Sequence, residues 1–195
     1  MKEIDQLERE TLYFETDGFF PNNSRFPVIK YRGVLFEMEG KVLEKEKVAG
    51  GEEVVSEDQK KELMRFCESF LVKNGWIFPW EGIVYTYHHY HSNAWEGLCC
   101  VQGTATVQLG GEKGVIVDVE CGDVLLIPPG VAHKGITQTP GFSVLGTYPE
   151  EAPEADLLTK PPTPQQREFM ETILLPSQHP ISGRSASWEF LKETR

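Results

Sequence analysis

The sequence predicts a single domain of mainly β structure, a sandwich or a barrel, with a helix-containing extension before it and a tail behind it. Residues 83–149 consist of short runs rich in β-branched and aromatic residues, and turn residues separate these runs at close spacing. Such spacing is typical of sandwiches and barrels. The chain has 195 residues, the size of one ordinary domain, and it shows no internal repeat.

The extension, residues 1–82, begins with a pattern that does not indicate a domain of its own. In residues 1–40, short apolar groups alternate with polar residues and with Gly, Pro and Asn. This pattern predicts irregular, extended segments that pack on a larger body. Residues 40–53 are rich in Lys, Glu and Gly, which predicts an exposed loop.

One helix is predicted in the extension, at about residues 57–73. Ser56 and Gln59 have the spacing of a capping box. The apolar residues that follow recur at i, i+3, i+4, i+7 and i+8, so they share one face of a helix. Asn74-Gly75 is suited to the end of that helix. We therefore expect an amphipathic helix that packs on the β domain.

Seven strands and one hairpin loop are predicted in the β domain, residues 83–149. The strands are expected at residues 83–91, 97–101, 104–109, 115–119, 124–127, 133–137 and 142–148. The Gly-rich residues 110–114 have the composition of a hairpin loop. The tail, residues 150–195, begins with a Pro- and Glu-rich surface connection, and a short helix is expected near residues 165–173. We expect this tail to wrap back onto the barrel.

Charge and composition exclude several classes of function. The net charge is −11, and an acidic surface repels nucleic-acid phosphates and anionic lipids. No apolar run approaches the roughly 20 residues that span a bilayer, and the acidic first residues do not resemble a signal peptide. The cysteines, Cys67, Cys99, Cys100 and Cys121, lack the spacing of a zinc knuckle or a redox pair. We expect a soluble, cytoplasmic protein that binds neither nucleic acid nor membranes.

Four residues have the chemistry and spacing of a metal site. His89 and His91 are two apart, so both imidazoles can point from one face of a strand. A turn follows, and a returning strand could place the carboxylate of Glu96 beside them. His133 lies near the end of a second strand–turn unit. Three imidazoles and one carboxylate suit Fe, Mn, Co, Ni, Cu or Zn better than Ca or Mg.

These residues stand in two motifs that resemble the two motifs of the cupins. The first is His-x-His, four residues, Glu96, six residues and Gly103; the second is Gly122, five residues, Pro-x-Gly, two residues and His133. The resemblance implies a jelly-roll β-barrel, with His89, His91, Glu96 and His133 as the metal ligands. Thr137 departs from the second motif, which often has Asn there, but that position is not a ligand.

A closer resemblance, to the YjlB-like subfamily of uncharacterised cupins, covers most of the chain. The segments that carry it are Phe20-Pro21-Asn22-Asn23, Tyr31-Arg32-Gly33, Asn74-Gly75-Trp76, Tyr87-His88-His89-Tyr90-His91-Ser92, Val107-Gln108-Leu109-Gly110-Gly111, Gly130-Val131-Ala132-His133-Lys134, Leu145-Gly146-Thr147-Tyr148-Pro149 and Leu175-Pro176-Ser177-Gln178-His179-Pro180. Trp95 and His179 stand where that subfamily commonly has His and Asp. This closer resemblance implies the fold and the metal, but it does not imply a reaction.

Other residues near these motifs have two possible interpretations each. Tyr85 and Tyr87 share strand parity with the ligand histidines, so they are candidate catalytic residues, with barrel filling as the alternative. His88 has the opposite parity and is expected to pack away from the cavity or lie on the surface. Trp95 could shape the cavity mouth. His179 is expected to be a solvated tail residue.

The sequence therefore predicts a metal-dependent cupin enzyme that acts on a small oxygen-bearing organic substrate. One divalent transition metal, Fe, Mn, Ni or Zn, is the expected cofactor. Resemblance to cupin dioxygenases favours a dioxygenase-type oxidoreductase. The alternatives are a cupin isomerase, cyclase or lyase of secondary metabolism, and a non-enzymatic small-molecule-binding cupin. The expected partners are a small-molecule substrate and, by analogy with other cupins, a second copy in a homodimer.

Overall fold

Eleven strands and four α-helices make up the residues that this computed structural model describes, 6–39, 46–47 and 53–193. The strands are β1 Arg9–Phe14, β2 Asn23–Tyr31, β3 Glu46–Lys47, β4 Glu53–Val54, β5 Trp76–Gly82, β6 Glu96–Gln102, β7 Thr104–Leu109, β8 Val115–Glu120, β9 Val124–Ile127, β10 His133–Gln138 and β11 Ser143–Pro149. The helices are α1 Val34–Glu39, α2 Glu57–Lys73, α3 Pro164–Thr172 and α4 Phe190–Glu193, and a 3-10 turn forms at Ser185–Trp188.

Two antiparallel sheets enclose one core, and together they form a jelly-roll barrel. The larger sheet has six strands in the order β1-β2-β9-β6-β11-β5, and the smaller has three in the order β10-β7-β8. A further two-stranded ribbon pairs β3 with β4. The barrel interior is filled by alternate side chains of both sheets: Val28, Leu98, Cys100, Val107, Leu109, Val117, Val119, Leu125, Ile127 and Val144.

The central strands of the six-stranded sheet are covered on both faces, whereas the three-stranded sheet exposes one. Every residue of β6 and β9 is buried, but β7 and β8 alternate between buried and exposed positions. The outer face of the larger sheet packs against helix α2 and against the tail. Cys99 belongs to this outer core and Cys100 to the barrel interior, because adjacent residues of a strand point to opposite faces. All four cysteines are buried.

Helix α2 begins and ends as the sequence predicts. The Ser56 side chain accepts the main-chain N–H of Gln59, and the Gln59 side chain accepts the N–H of Ser56. The buried face of the helix carries Leu63, Cys67, Phe70 and Leu71. The tail helix α3 is also confirmed near the predicted position. Among the helices described, not one has the length and apolar character that crossing a bilayer requires.

Two predictions about the strands are wrong. Residues 83–88 form no regular strand, because only isolated hydrogen bonds, such as Gly135 N–H to Tyr85 O at 2.8 Å, join this segment to β10. The early segments are not irregular: β1 and β2 pair over most of their length, and β2 joins β9. The larger sheet therefore draws three of its strands from residues before 83. The predicted loop at 40–53 lies mostly outside the described residues.

Candidate metal centre

Three buried histidines converge at one end of the barrel. His89 and His91 lie in the segment between β5 and β6, and His133 opens β10. One ring nitrogen of each histidine lies within 4.8 Å of one ring nitrogen of both others. All three side chains are buried. The structure thus brings together the three histidines that the sequence singles out, in an arrangement compatible with metal binding.

Main-chain hydrogen bonds hold the two sequence motifs against each other. His89 and His133 exchange N–H···O bonds of 3.2 and 2.9 Å, and Gly130 donates its N–H to the carbonyl of His91 at 2.8 Å. Gly130 has a φ of +93°, and a Cβ at this position would lie only 2.6 Å from the main-chain oxygen of Asn22. A glycine is therefore required where the two motifs meet.

Hydrogen bonds also fix which ring nitrogen faces the centre. A carbonyl oxygen can only accept, so a histidine that contacts one through Nδ1 must carry its hydrogen there. Each of the three histidines makes such a contact through Nδ1, and the acceptors are the carbonyls of Tyr87 for His89 at 3.2 Å, Asp156 for His91, and Val131 for His133 at 3.1 Å. The Nε2 lone pairs are left for the centre. Metal-binding histidines in proteins are oriented in this way.

Glu96, the first residue of β6, adds a carboxylate to the same centre. Its oxygens lie 3.5 Å from Nε2 of His91 and 3.2 Å from Nε2 of His133. Two donors that each lie about 2.1 Å from one ion are about 3.0–3.4 Å apart, so these separations suit a shared cation. His91 Nε2 and Glu96 Oε2 are buried and make no hydrogen bond. The donor set therefore fits a divalent transition metal.

The electrostatics of the cluster favour a cation at this position. Burial alone would raise the pKa of Glu96, but the neighbouring His91 and His133 hold that pKa well below its usual range. Burial opposes the charging of His91, yet the Glu96 carboxylate raises the pKa of His91. Burial, together with the nearby His133, lowers the pKa of His89 to about 3. The cluster thus offers an ionised carboxylate and at least one neutral imidazole, which are the ligand forms of these groups.

Tyr148 is a member of the site that the sequence interpretation missed. Its hydroxyl donates a hydrogen bond of 3.1 Å to Oε1 of Glu96, and its ring packs edge-on against His91 with centroids 5.5 Å apart. Burial and the charge of Glu96 raise the pKa of Tyr148, so its phenol remains a donor. Only the pairing of β11 with β6 brings it there, and this register is not readable from sequence spacing.

A pocket of about 130 Å³ opens beside the four clustered residues. Its walls are largely apolar: they are formed by Trp80, Ile83, Val84, Leu98 and Leu157. Tyr85 and Tyr148 contribute phenols. Among the described residues that line the pocket, there is no lysine and no arginine. The pocket therefore suits a small molecule of low charge.

The two candidate tyrosines lie at the rim and do not fill the barrel. Tyr85 and Tyr87 are 45% and 47% exposed, and their rings stack with centroids 5.1 Å apart and planes at 9°. Tyr85 lines the pocket, and its ring lies 5.2 Å from that of His89. Tyr87 lies 5.7 Å from the same histidine ring but does not line the pocket. The alternative of barrel filling is thus wrong for both.

The remaining singled-out residues lie away from the centre. His88 packs against Phe20, with ring centroids 5.3 Å apart, as its parity predicts. Trp95 does not shape the cavity mouth: it is 1% exposed and packs in the outer core against Trp188. His179 is not solvated, since it is fully buried and its ring packs at a tilt against that of the same Trp188, with centroids 4.3 Å apart. Long-range packing of the tail decides both cases.

Comparison with known proteins agrees with this geometry. The family model described as "Cupin domain" matches residues 80–142, which include all four clustered residues. "Uncharacterized protein YjlB" from Bacillus subtilis (strain 168) is 32% identical over 181 residues, which cover 92% of this chain and 93% of the relative.

Solved structures with partial similarity are longer than this chain. The vicilin of Solanum melongena is 27% identical with a TM-score of 0.33 over 40% of this chain, and the match spans 24% of the vicilin. Procruciferin, the 11S globulin of Brassica napus, is 21% identical with a TM-score of 0.31 over 40% of this chain and 22% of its own. The family assignment depends on neither. Because the Bacillus relative matches nearly the whole of both chains and the cupin model spans the histidine cluster, this chain belongs to the YjlB-like cupins.

Proposed function

We propose that the protein is a metal-dependent enzyme in which His89, His91, Glu96 and His133 bind one divalent transition metal: Fe, Mn, Ni or Zn. The observation that carries this proposal is the convergence of three imidazoles and one buried carboxylate beside an apolar pocket. Four protein ligands leave two positions of a six-coordinate ion for other molecules. When bound, the metal supplies Lewis acidity or electron transfer to dioxygen.

The pocket limits the substrate in size and charge. A cavity of about 150 Å³ in another protein binds benzene, so about 130 Å³ accommodates a group of similar size. With no cationic side chain among the described lining residues, negative charge on a substrate would be balanced by the metal alone. A divalent ion with one glutamate has a net charge of +1, which one anionic oxygen neutralises. We therefore propose a carboxylate, enol or diketone with a small apolar body.

The tyrosines in and near the pocket have separate proposed roles. Tyr85 presents a phenol at the rim, where it can donate a proton or a hydrogen bond to a bound oxygen. Tyr87 stacks on Tyr85 and holds its ring. Tyr148 donates to Glu96 and so keeps the carboxylate oriented. The apolar walls exclude water from the bound group. The preference for dioxygenase-type oxidation of the substrate comes from the resemblance to cupin dioxygenases, among which a set of three histidines and one glutamate is common.

The metal assignment is tested by elemental analysis of two matched variants. His91→Ala removes a ligand, whereas His88→Ala removes a histidine that is equally buried, at 8% against 6% exposed, and faces Phe20 instead. We expect near-stoichiometric metal in the wild type and in His88→Ala, and almost none in His91→Ala. Full metal occupancy in His91→Ala, with the fold intact by circular dichroism, would refute the assignment.

Two phenols in one small pocket also favour a second candidate, an acid–base reaction such as isomerisation or elimination. Oxygen consumption separates the two functions. A small chelating substrate that the iron-loaded protein turns over only with uptake of dioxygen supports oxidation. Turnover that continues without dioxygen supports the isomerase or lyase, and binding without any turnover supports a small-molecule-binding cupin.

A further inference from the structure

The segment 154–160, which follows β11, runs beside the residues that carry the histidine cluster. Tyr90 and Leu158 exchange two main-chain hydrogen bonds of 2.9 Å. The Tyr90 hydroxyl donates to the carbonyl of Lys160 at 2.8 Å. A segment that the sequence suggests is a surface connection is therefore paired with the chain between two metal-ligand positions.

Asp156 makes contacts in this segment that lead directly to the centre. Its carboxylate accepts the main-chain N–H of Ser92 at 2.7 Å and the Ser92 hydroxyl at 2.6 Å. Its own N–H donates to the side chain of Asn93 at 3.0 Å. Its carbonyl accepts the Nδ1–H of His91. The other two histidines of the cluster use carbonyls only two residues away, so only His91 depends on a distant segment.

Leu157, the next residue, faces the pocket. It lines the cavity beside the four clustered residues although it is 46% exposed. Asp156 and Leu158 on either side are held by hydrogen bonds to residues 90–93. The position of the Leu157 side chain at the pocket wall is therefore set by the same bonds that support His91.

We propose that residues 154–160 are a working part of the site, with Asp156 as a positioning residue for His91 and Leu157 as a determinant of which substrates fit. This inference rests on the proposed metal function and deepens it. The Asp156 side chain acts indirectly, because its bonds to Ser92 hold the carbonyl that fixes the His91 ring. Supporting groups of this kind change metal affinity about 10- to 100-fold when they are removed.

The Asp156 contribution is tested by the affinity for Co²⁺, measured by competition with a chromophoric chelator, and by the visible spectrum of bound Co²⁺. Asp156→Ala should weaken binding about tenfold or more and shift the spectrum. Asp156→Asn should restore most of the affinity, because its amide oxygen can still accept the Ser92 N–H. Glu151→Ala is the matched control: its carboxylate accepts the N–H of Ser177, away from the centre, and its loss should leave the affinity unchanged.

A second measurement does not require metal. In the metal-free protein, the Nδ1–H of His91 should exchange slowly with solvent, and nuclear magnetic resonance identifies it by its absence from His91→Ala. Asp156→Ala should speed that exchange at least tenfold, and Glu151→Ala should not. If the wild type bound no Co²⁺ but Asp156→Ala still speeded the exchange of the His91 Nδ1–H, the proposed metal function would fail and the positioning role would stand. Unchanged exchange and unchanged Co²⁺ affinity in Asp156→Ala would overturn the positioning role.

The Leu157 contribution is tested with two chelating probes on the Co²⁺-loaded protein. Acetohydroxamate carries only a methyl group, whereas benzohydroxamate carries a benzene ring that would reach the pocket wall. Leu157→Ala should weaken the binding of benzohydroxamate about fivefold, because apolar contact is lost. The affinity for acetohydroxamate should stay within about twofold of the wild-type value. Equal affinities of wild type and Leu157→Ala for benzohydroxamate would refute the specificity role.

Discussion

The buried histidine of the tail makes the stability of the protein sensitive to mild acid. The main-chain N–H of Ile181 donates to Nδ1 of His179 at 3.2 Å, so the ring hydrogen is on Nε2, which contacts the Tyr31 hydroxyl at 3.0 Å. Burial, with a smaller contribution from the charge of Arg9, lowers the pKa of His179 from 6.5 to about 3. The unfolded chain therefore binds a proton near pH 6.5, whereas the folded chain does not until about pH 3.

The sign and the size of the effect follow from this difference. Between pH 6.5 and pH 3 the unfolded state binds more protons than the folded state. The contribution of His179 to the free energy of unfolding is therefore fully present above this window and is lost as the pH falls through it. From pH 7 to pH 5, His179 alone should remove about 2 kcal/mol from the free energy of unfolding. Other groups add their own pH dependence, but it is the same in a variant that lacks this one histidine.

The assay is urea denaturation of metal-free wild type and His179→Asn at pH 7 and pH 5. Asn keeps an acceptor for the Ile181 N–H but does not titrate. We expect the variant to be less stable at pH 7, because its side chain packs less well on Trp188. It should nevertheless lose about 2 kcal/mol less than the wild type between the two pH values. Equal losses in both proteins would refute the argument that His179 is buried in its neutral form.

Two further substitutions test buried charges, both by urea denaturation of the metal-free protein. Tyr148→Phe should lower the free energy of unfolding by about 2 kcal/mol, because the buried Glu96 carboxylate loses a charged hydrogen bond. The control, Tyr85→Phe at the exposed rim, should change it by less than about 0.5 kcal/mol. Equal effects of the two substitutions would contradict the Tyr148–Glu96 bond. Asp123→Ala should lower the free energy of unfolding by about 3–5 kcal/mol, because it leaves Lys30 as an uncompensated buried charge. The two side chains lie 3.1 Å apart and are at most 3% exposed. A decrease below about 1 kcal/mol would contradict this reasoning.

The histidine cluster could be predicted because its geometry is local. His89 and His91 need only two-residue parity to share a direction, and that parity survives although the segment is not a regular strand. Glu96 opens the next strand after a short turn. His133 comes from further away, but the glycine-containing turn before it has a recognisable pattern. In each case, the information lies within a few residues of the side chain.

The parts that could not be predicted depend on contacts between distant segments. Tyr148 reaches Glu96 through the register of two strands about 50 residues apart in sequence. Leu157 and Asp156 reach the site because a Pro- and Glu-rich segment folds back along it. Trp95 is buried because Phe26 of β2 and Trp188 of the tail both pack against it. The burial of such residues depends on which distant segments of the chain pack together, and sequence composition does not show this.

The Nδ1 contacts of the three histidines have a consequence for how the site tolerates mutation. All three acceptors are main-chain carbonyls, and no substitution short of a change in backbone course can remove a carbonyl. The tautomers of His89 and His133 are thus insensitive to the identity of neighbouring side chains. The rim can change its chemistry, and so its substrate, while the metal-facing nitrogens stay the same. Only at His91 does a side chain, that of Asp156, influence the position of the accepting carbonyl. We therefore expect substitutions of Asp156 to be tolerated less well than substitutions near His89 or His133.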